Sequence, residues 1–309
     1  MANCQKCGKE LPSFSFGEEQ AECKECRVRA NIEAAEAAKN QARAARSNWR
    51  RITPVTTALI AVNVAVMAGM VLTGGTKALS APSNTLLLKW GADWGPYTLF
   101  GEPWRAFTCM WVHAGLLHLG FNMWCLDAYG RITERIFGWR FYLAVYILTG
   151  LAGSLASLAW HPTVVSIGAS AAIFGIVGAL IPPYKMGRLP MPPHVLKAAS
   201  KSLLTFVGYN LLFGFVVPAI DNSAHLGGLV GGLALGALWA RKEVRDSKYL
   251  LNVGLAAALF ITTAYYTVRE LRQPLVRSFA RELVTALEQN GMHQEAEKVR
   301  QNTGIAEQK

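Results

Sequence analysis

The sequence predicts an all-α protein that crosses a membrane several times. Of its 309 residues, 52% are hydrophobic and only 17% are charged, and the mean hydropathy is +0.23. A soluble domain of this length rarely contains several separate apolar stretches that could each span a bilayer, which takes about 20 residues. Because unpaired backbone groups are too costly in lipid, spanning stretches of this length are expected to be helices.

Seven such stretches set the order of the predicted transmembrane helices. They run roughly over residues 54–73, 114–130, 140–159, 167–183, 201–220, 223–240 and 250–268. Residues 1–50 are polar and do not resemble a cleavable signal peptide, so insertion is expected to use these helices themselves.

The connections between these stretches predict their orientation. QARAARSNWRR, GRITERIFGWR, YKMGRLPMPPHVLK and ARKEVRDSKY are basic, whereas the alternate connections WHPTVVSI and AIDNS contain no Lys or Arg. Since basic loops stay in the cytoplasm, the N-terminus is predicted to be cytoplasmic and the C-terminus to be outside. The net charge of +11 is then largely topological, and nucleic-acid binding is not expected because the basic residues are not clustered with aromatic ones.

Four cysteines near the N-terminus have the spacing of a zinc site. They are arranged as C-x2-C-x15-C-x2-C, at Cys4, Cys7, Cys23 and Cys26. Four thiolates close a tetrahedral site with no open position, so a zinc ion here would be structural rather than catalytic. Disulfides are the alternative, but the cytosol keeps thiols reduced. We predict a small zinc-ribbon-like module, which could also bind a cytosolic partner.

The second apolar stretch, WVHAGLLHLGFNMWCLDAYG, contains polar side chains at membrane depth. His118 and Asn122 are four residues apart and share one helix face, and His113 lies where the preceding loop enters the helix. Such side chains are costly in lipid and usually face the bundle interior or a water-filled cavity. They could hydrogen-bond between helices, but the combination favours a functional site.

The fourth and sixth stretches carry small residues that would let their helices pack closely. SIGASAAIFG contains a lone serine, Ser170, and AHLGGLVGG contains His225 followed by glycines at four-residue intervals. Close packing would bring Ser170 and His225 together near the outer ends of both helices. A serine is a weak nucleophile until a base takes its proton, and His225 is the natural base. Asp221, four residues earlier, is a weak candidate for an orienting partner.

A Ser–His pair also needs donors for the oxyanion of the tetrahedral intermediate. The backbone N–H of Ser170 is one donor, and the side chains of His118 and Asn122 could supply others. The constellation predicts acyl transfer in a wet cavity that opens to the outer face.

Together these residues resemble the rhomboid family of intramembrane serine proteases, over residues 54–240. GASAAIFG resembles the nucleophile motif, with Ser170 and the auxiliary Gly168, and AHLGGLVGG resembles the helix of the catalytic histidine. HAGLLHLGFN matches the family's pattern of two histidines and an asparagine, and Gly130, Glu134 and Gly138 match its G-x3-E-x3-G pattern. The resemblance implies catalytic Ser170 and His225, oxyanion donors His118 and Asn122, and an auxiliary His113.

Two further features belong to this resemblance. PWRAFT resembles the Trp-Arg motif of the family's first loop, at Trp104 and Arg105, and implies a loop that lies partly in the membrane. Phe174 stands where the family commonly has an aromatic residue beside the catalytic histidine, although core packing is equally compatible with it. One departure is Ala171, because the family usually has glycine directly after the nucleophile.

The resemblance implies that catalysis needs no cofactor and that the substrates are transmembrane segments of other proteins, cleaved in contact with membrane lipid. An alternative is a rhomboid-like pseudoprotease that binds membrane clients without cleavage, but both Ser and His are present. A transporter is a weaker option, since no continuous polar path or internal repeat is visible. No HExxH or G-x-G-D motif supports another protease class.

The expected architecture is therefore a rhomboid-like six-helix bundle plus one extra C-terminal transmembrane helix, preceded by the zinc module. The predicted divisions are a zinc-ribbon-like module at 1–30, a helical linker at 31–52, the core at 53–240, the seventh helix at 241–268 and a helical tail at 269–309. The tail is expected to form two short helices around Asn290-Gly291. The expected location is a bacterial plasma membrane.

Overall fold

The structure is a computed structural model of the chain, and it describes residues 3–10, 22–49, 53–189, 205, 207–217, 220–241 and 247–305. The described residues form helices and turns, and their only β-type pairings are two isolated bridges, Asn3 with Glu10 and Asp93 with Ser166. The prediction of an all-α fold is therefore confirmed. The chain divides into two compact units, Met1–Ile52 and Thr53–Lys309.

The first unit contains the cysteine-rich segment and one long helix, α1, at Lys24–Trp49. The helix starts directly after Cys23, so Cys26 lies in its first turn. Its Ala-, Glu- and Arg-rich sequence favours helix, as expected for the linker. The helix thus begins within the segment predicted to be the zinc module.

The second unit contains the other helices. They are α2 (Pro54–Gly74), α3 (Asn84–Lys89), α4 (Gly95–Thr98), α5 (Arg105–Thr108), α6 (Leu116–Cys125), α7 (Arg131–Phe137), α8 (Trp139–Trp160), α9 (Ser170–Lys185), α10 (Val207–Val216), α11 (Asn222–Trp239), α12 (Ser247–Gln289) and α13 (His293–Thr303). A π-helical turn at Leu126–Gly130 joins α6 to α7. Residues 75–115, between α2 and α6, contain α3 to α5 and are called loop one.

Two of the described helices are long and apolar enough to cross a membrane, α2 and α8. Two shorter apolar helices are α9 and α10. Helix α10 lies within the stretch predicted at 201–220, of which residues 201–204, 206, 218 and 219 lie outside the described residues. The count of six core helices plus one remains a prediction.

Helix α9 lies at the centre of the second unit. It packs against α8 and α11, and nearly every residue from Ala171 to Leu180 is buried. The small side chains of Ala171, Gly175 and Ala179 allow α8 and α11 to approach the backbone of this helix closely. The start of α9, which carries Ser170, is thereby fixed by close contact with its neighbours.

Glu134 joins two helices that are distant in sequence. Its carboxylate accepts hydrogen bonds from the backbone N–H groups of Val55 (3.0 Å) and Thr56 (2.8 Å) and from the Thr56 hydroxyl (2.7 Å). These N–H groups belong to the first turn of α2 and have no partner within the helix. Glu134 therefore caps α2 from α7, and a negative charge there also complements the helix dipole.

The C-terminal segment differs from the sequence prediction in one respect. Helix α12 continues from Ser247 to Gln289 through Pro274, so the short helix expected after residue 268 is a continuation of the seventh predicted stretch. The break at Asn290-Gly291 is present, with Gly291 at φ +71°, and α13 follows it. Residues 275–303 thus form a helical hairpin, called the C-terminal hairpin below.

Candidate active site

Ser170 and His225 lie together in the second unit. The Nε2 atom of His225 is 2.9 Å from the Oγ atom of Ser170, within hydrogen-bonding distance. Ser170 is the first residue of α9, and His225 lies in the first turn of α11. The ring of Phe174 is stacked on the imidazole, with centroids 4.4 Å apart and planes 10° apart. The Nδ1 atom of His225 is buried and has no hydrogen-bond partner among the described residues.

The glycine stripe of α11 explains how these two helices meet. A Cβ atom built on Gly228 would lie 2.0 Å from the carbonyl oxygen of Ala171, and one on Gly232 would lie 2.1 Å from that of Gly175. Real Cβ atoms do not approach an oxygen so closely, so only glycine allows this backbone contact. The spacing that predicted close packing of the two stretches therefore produces it.

His118 and Asn122 face the same cavity as Ser170 from α6. The Nδ1 atom of His118 accepts a hydrogen bond of 3.3 Å from the backbone N–H of Ala114, which leaves Nε2 to carry a proton and act as a donor. The ring lies against Gly168, where an added Cβ would be 2.8 Å from Nε2. Gly168 also has φ +106°, so both its conformation and its neighbour require glycine.

Asn122 uses one of its side-chain N–H groups within its own helix. Its Nδ2 atom donates to the carbonyl oxygen of His118 at 2.8 Å. The amide has a second N–H, which can serve another acceptor in the cavity. Asn122 and His118 are thus two potential donors on one wall.

His113 is buried behind His118 and does not line the cavity. The two imidazole centroids are 5.0 Å apart, and Nδ1 of His113 is 3.2 Å from the carbonyl oxygen of Trp111. This position supports the ring of His118.

Asp221 lines the cavity beside Ser170 and His225, but its carboxylate does not hydrogen-bond the imidazole of His225. Its carboxylate accepts hydrogen bonds from the N–H of Ala224 (3.1 Å) and from the hydroxyls of Ser223 and Ser166, the last at 3.1 Å. It therefore caps the N-terminus of α11. Its backbone carbonyl oxygen accepts a hydrogen bond of 3.2 Å from the N–H of His225, whereas Nδ1 of the His225 ring has no partner among the described residues.

Trp104 and Arg105 lie in loop one, away from the cavity lining. Arg105 is buried and donates from Nη1 to the carbonyl oxygens of Leu88 (2.7 Å) and Ala92 (3.1 Å), while its Nε atom pairs with Glu102 at 2.5 Å. Its guanidinium also lies over the ring of the half-exposed Trp104. These contacts hold loop one in its fold.

The cavity around Ser170 has a volume of about 1100 Å³. Several residues that line it were not proposed for the site by the sequence analysis, in particular Trp94, Ser154, Phe279, Leu283, Leu287 and Lys298. Phe279, Leu283 and Leu287 follow one another at four-residue intervals on α12. That stripe was visible in the sequence, but it has the same pattern as ordinary helix packing.

In the first unit, the four cysteine sulfurs all lie within 4.8 Å of one another. Zn–S bonds of about 2.3 Å in a tetrahedron place sulfurs about 3.8 Å apart, and Sγ of Cys7 is 3.6 Å from that of Cys23. Backbone N–H groups point at the sulfurs, with Cys23 N 3.2 Å from Cys4 Sγ. The donor set and its spacing therefore fit a zinc ion.

Comparison with known proteins matches residues 101–242 to the family model of the rhomboid domain. This match includes Ser170, His225, His118 and Asn122. The chain carries a rhomboid domain. The family resemblance of the sequence is thereby confirmed.

Curated relatives agree with this assignment. The chain is 38% identical to the rhomboid protease GluP of Bacillus subtilis (strain 168) over 181 residues, which are 58% of this chain and 35% of that protein. It is 38% identical to RHOMBOID-like protein 7 of Arabidopsis thaliana over 161 residues, 52% of this chain and 50% of that protein. It is 30% identical to Rhomboid-like protease 5 of Toxoplasma gondii over 218 residues, 66% of this chain and 25% of that protein. The match thus spans half or less of the length of each of these relatives.

Proposed function

We propose that this protein is an intramembrane serine endopeptidase that cleaves transmembrane segments of membrane proteins with a Ser–His dyad. The observation that carries the proposal is the 2.9 Å contact between His225 Nε2 and Ser170 Oγ inside a cavity of the rhomboid domain. Nε2 takes the Ser170 proton while Oγ attacks the scissile carbonyl carbon. The protonated His225 then gives this proton to the leaving amine. Water, deprotonated by His225, cleaves the acyl-enzyme to the carboxylate product.

The negative charge on the attacked carbonyl oxygen requires donors on one side of the cavity. The backbone N–H of Ser170, Nε2–H of His118 and the second N–H of Asn122 could supply them. No described carboxylate hydrogen-bonds His225, so we assign its orientation to the stacked ring of Phe174. This proposal needs no cofactor for catalysis.

The alternative is a rhomboid-like pseudoprotease that binds membrane clients without cutting them. It is not favoured, because the nucleophile and base are both present and lie in contact. Two of the relatives also carry the word protease in their names.

The test is cleavage of a reporter with a Gly- and Ala-containing transmembrane segment, reconstituted in lipid, together with labelling by a fluorophosphonate. Ser170→Ala is expected to abolish labelling and to lower cleavage by about 10⁴-fold or more. Ser278→Ala, which removes an exposed serine of α12 outside the cavity lining, is the matched control and should keep both activities. A folded wild-type protein that is inert in both assays would favour the pseudoprotease.

We further propose a bacterial plasma membrane as the location, with the N-terminus in the cytoplasm and the C-terminus outside. The apolar helices α2 and α8 and the rhomboid domain support membrane integration. Contact of α13 with α4, at the end of the bundle where α9 begins, supports a common side for the C-terminus and Ser170. The test is a reporter enzyme that is active only outside the cytoplasm, fused after residue 309. We expect this fusion to be active.

We also propose that Cys4, Cys7, Cys23 and Cys26 hold a structural zinc ion in the first unit. Metal analysis of the purified full chain should then find about one zinc per chain. Replacing Cys4 and Cys7 by Ser should remove it, whereas replacing the isolated Cys125 by Ser should not. Zinc retained by the double variant would contradict this assignment. Cleavage should continue after zinc removal, because the proposed dyad lies in the other unit.

A further inference from the structure

The C-terminal hairpin forms one wall of the cavity that contains Ser170 and His225. Its contributions to the cavity lining are Phe279, Leu283, Leu287, Met292, Glu295, Lys298 and Val299. These residues lie more than 50 positions after His225 in the sequence and beyond the residues matched by the rhomboid model. A segment outside the family domain therefore shares the proposed catalytic cavity.

The hairpin is fixed to loop one by several independent contacts. The rings of Trp94 and Phe279 meet edge to face at 6.3 Å, and Asn302 Nδ2 donates to Glu102 Oε1 at 3.1 Å. The ammonium group of Lys298 lies 5.8 Å from the centroid of Tyr97. The hairpin is therefore a built part of the second unit, held where it lines the cavity.

The two helices of the hairpin also hold each other. Val284 of α12 and Ala296 and Val299 of α13 are buried in one apolar cluster with Trp94 and Tyr97. Arg300 of α13 pairs with Glu288 of α12. This packing leaves Leu283 and Leu287 partly exposed on the cavity side. Both side chains also pack against that apolar cluster, so the wall offers the cavity the part of each that the cluster leaves uncovered.

The C-terminal hairpin and Ser170 line the same cavity, and a substrate polypeptide is the occupant that fits both. A polypeptide held at Ser170 continues for several residues on either side of the scissile bond, and a cavity of about 1100 Å³ can contain more than the two residues that are cut. The apolar stripe of α12 suits a large apolar side chain in the flanking stretch. Glu295 and Lys298 on α13 supply polar partners for a peptide backbone.

We infer that the C-terminal hairpin is a substrate-binding wall that selects substrates by an apolar side chain flanking the scissile bond, through contacts with Leu283 and Leu287. This inference rests on the proposed protease function. The hairpin acts on binding and leaves the Ser170–His225 pair unchanged. It should therefore alter KM more than kcat.

The test compares Leu283→Gln/Leu287→Gln with Leu275→Gln in the full chain in lipid. Leu275 is 50% exposed on the same helix and lies outside the cavity lining, so it is a matched control. The double variant should raise KM about tenfold for a reporter with leucine beside the scissile bond, with kcat unchanged. A reporter with serine at that position should be cleaved equally by all three proteins. An unchanged KM, or a variant that cleaves faster because the hairpin was a lid, would overturn the inference.

Fluorophosphonate labelling separates this outcome from failure of the proposed function. The small probe reaches Ser170 without needing the wall, so the double variant should be labelled at the wild-type rate, which also shows that it is folded. As an independent measurement, a photo-reactive benzoylphenylalanine at Met292 in the Ser170→Ala protein should cross-link to the flanking stretch of the reporter. The same group at Ser278 should not. No cross-link from Met292 would count against the wall, whereas an unlabelled wild type would overturn the protease itself.

Discussion

Two parts of the second unit line the same cavity in opposite ways. Where α11 meets α9, glycines bring one backbone against the other and leave no space for a side chain. Where the C-terminal hairpin faces the cavity, Leu283 and Leu287 remain partly exposed. The difference matches the two proposed roles. A Ser–His pair requires the fixed geometry of the α11–α9 contact, and a substrate-binding wall requires vacant apolar surface like that of the hairpin.

We call the contact between α11 and α9 the rigid part. The largest effect on it is expected from Gly232→Ala. Its Cβ would lie 2.1 Å from the Gly175 carbonyl oxygen, so α11 must move away from α9 and carry His225 with it. Displacement of a catalytic group by about 1 Å costs about 100-fold in rate, and we expect that loss in kcat together with a lower thermal unfolding temperature.

The control for this change is the neighbouring glycine. At Gly231 an added Cβ would meet Ala152 and Thr149 at 3.5 Å, an ordinary contact distance. Gly231→Ala should therefore leave kcat unchanged and should not lower stability, since alanine favours helix. Equal effects of the two substitutions would show that the backbone contact does not set the position of His225.

A smaller effect is expected from Phe174→Leu, which removes the ring stacked on His225. Stacked rings contribute about 0.5–1.5 kcal/mol, so kcat should fall about three- to tenfold while KM stays the same. Phe137→Leu is a matched control, because Phe137 is also buried and packs on Trp239, away from the cavity. It should lower stability alone. A similar loss of kcat in both variants would mean that Phe174 acts only through packing.

The rigid part was predictable from sequence because its physical requirements leave a local pattern. Close helix packing needs small residues at four-residue spacing, and a serine nucleophile needs a base, so Ser170 and His225 could be paired without coordinates. Glu134 could be recognised by its motif, but its capping of α2 depends on a contact between residues 78 positions apart. Such a contact has no signature in the local sequence.

The hairpin was not predictable to the same degree. Its break at Asn290-Gly291 follows from turn chemistry, and glycine there adopts a positive φ. The stripe at Phe279, Leu283 and Leu287 specifies an apolar face but not the surface that the face meets. Continuation of α12 through Pro274 is likewise a tertiary result, since proline usually ends or kinks a helix.

A final prediction concerns Asp93, which lies between the start of α9 and the loop that contacts the C-terminal hairpin. Its backbone pairs with Ser166, just before α9, through hydrogen bonds of 3.1 and 2.9 Å. Asp93 itself belongs to loop one, which contacts the C-terminal hairpin. The carboxyl is buried, with Oδ1 accepting from Thr98 at 2.5 Å and Oδ2 unpaired among the described residues. Burial, with a smaller contribution from the charge of Asp221, raises the pKa of Asp93 to about 7, against the opposing effects of Thr98 and Arg105.

The sign of the pH effect follows from this shift. An unfolded Asp has a pKa of about 3.9, so the folded protein binds more protons between about pH 4 and pH 7, and its stability falls as pH rises through that window. Asp93→Asn stays neutral and avoids this loss. Its thermal stability in detergent should therefore gain on the wild type as pH rises from 4.5 to 7 and then level off. The gain corresponds to on the order of 2–4 kcal/mol at pH 8. A difference between the two proteins that does not vary with pH would show that Asp93 is ionised throughout, and that the join between loop one and the start of α9 contains a charge.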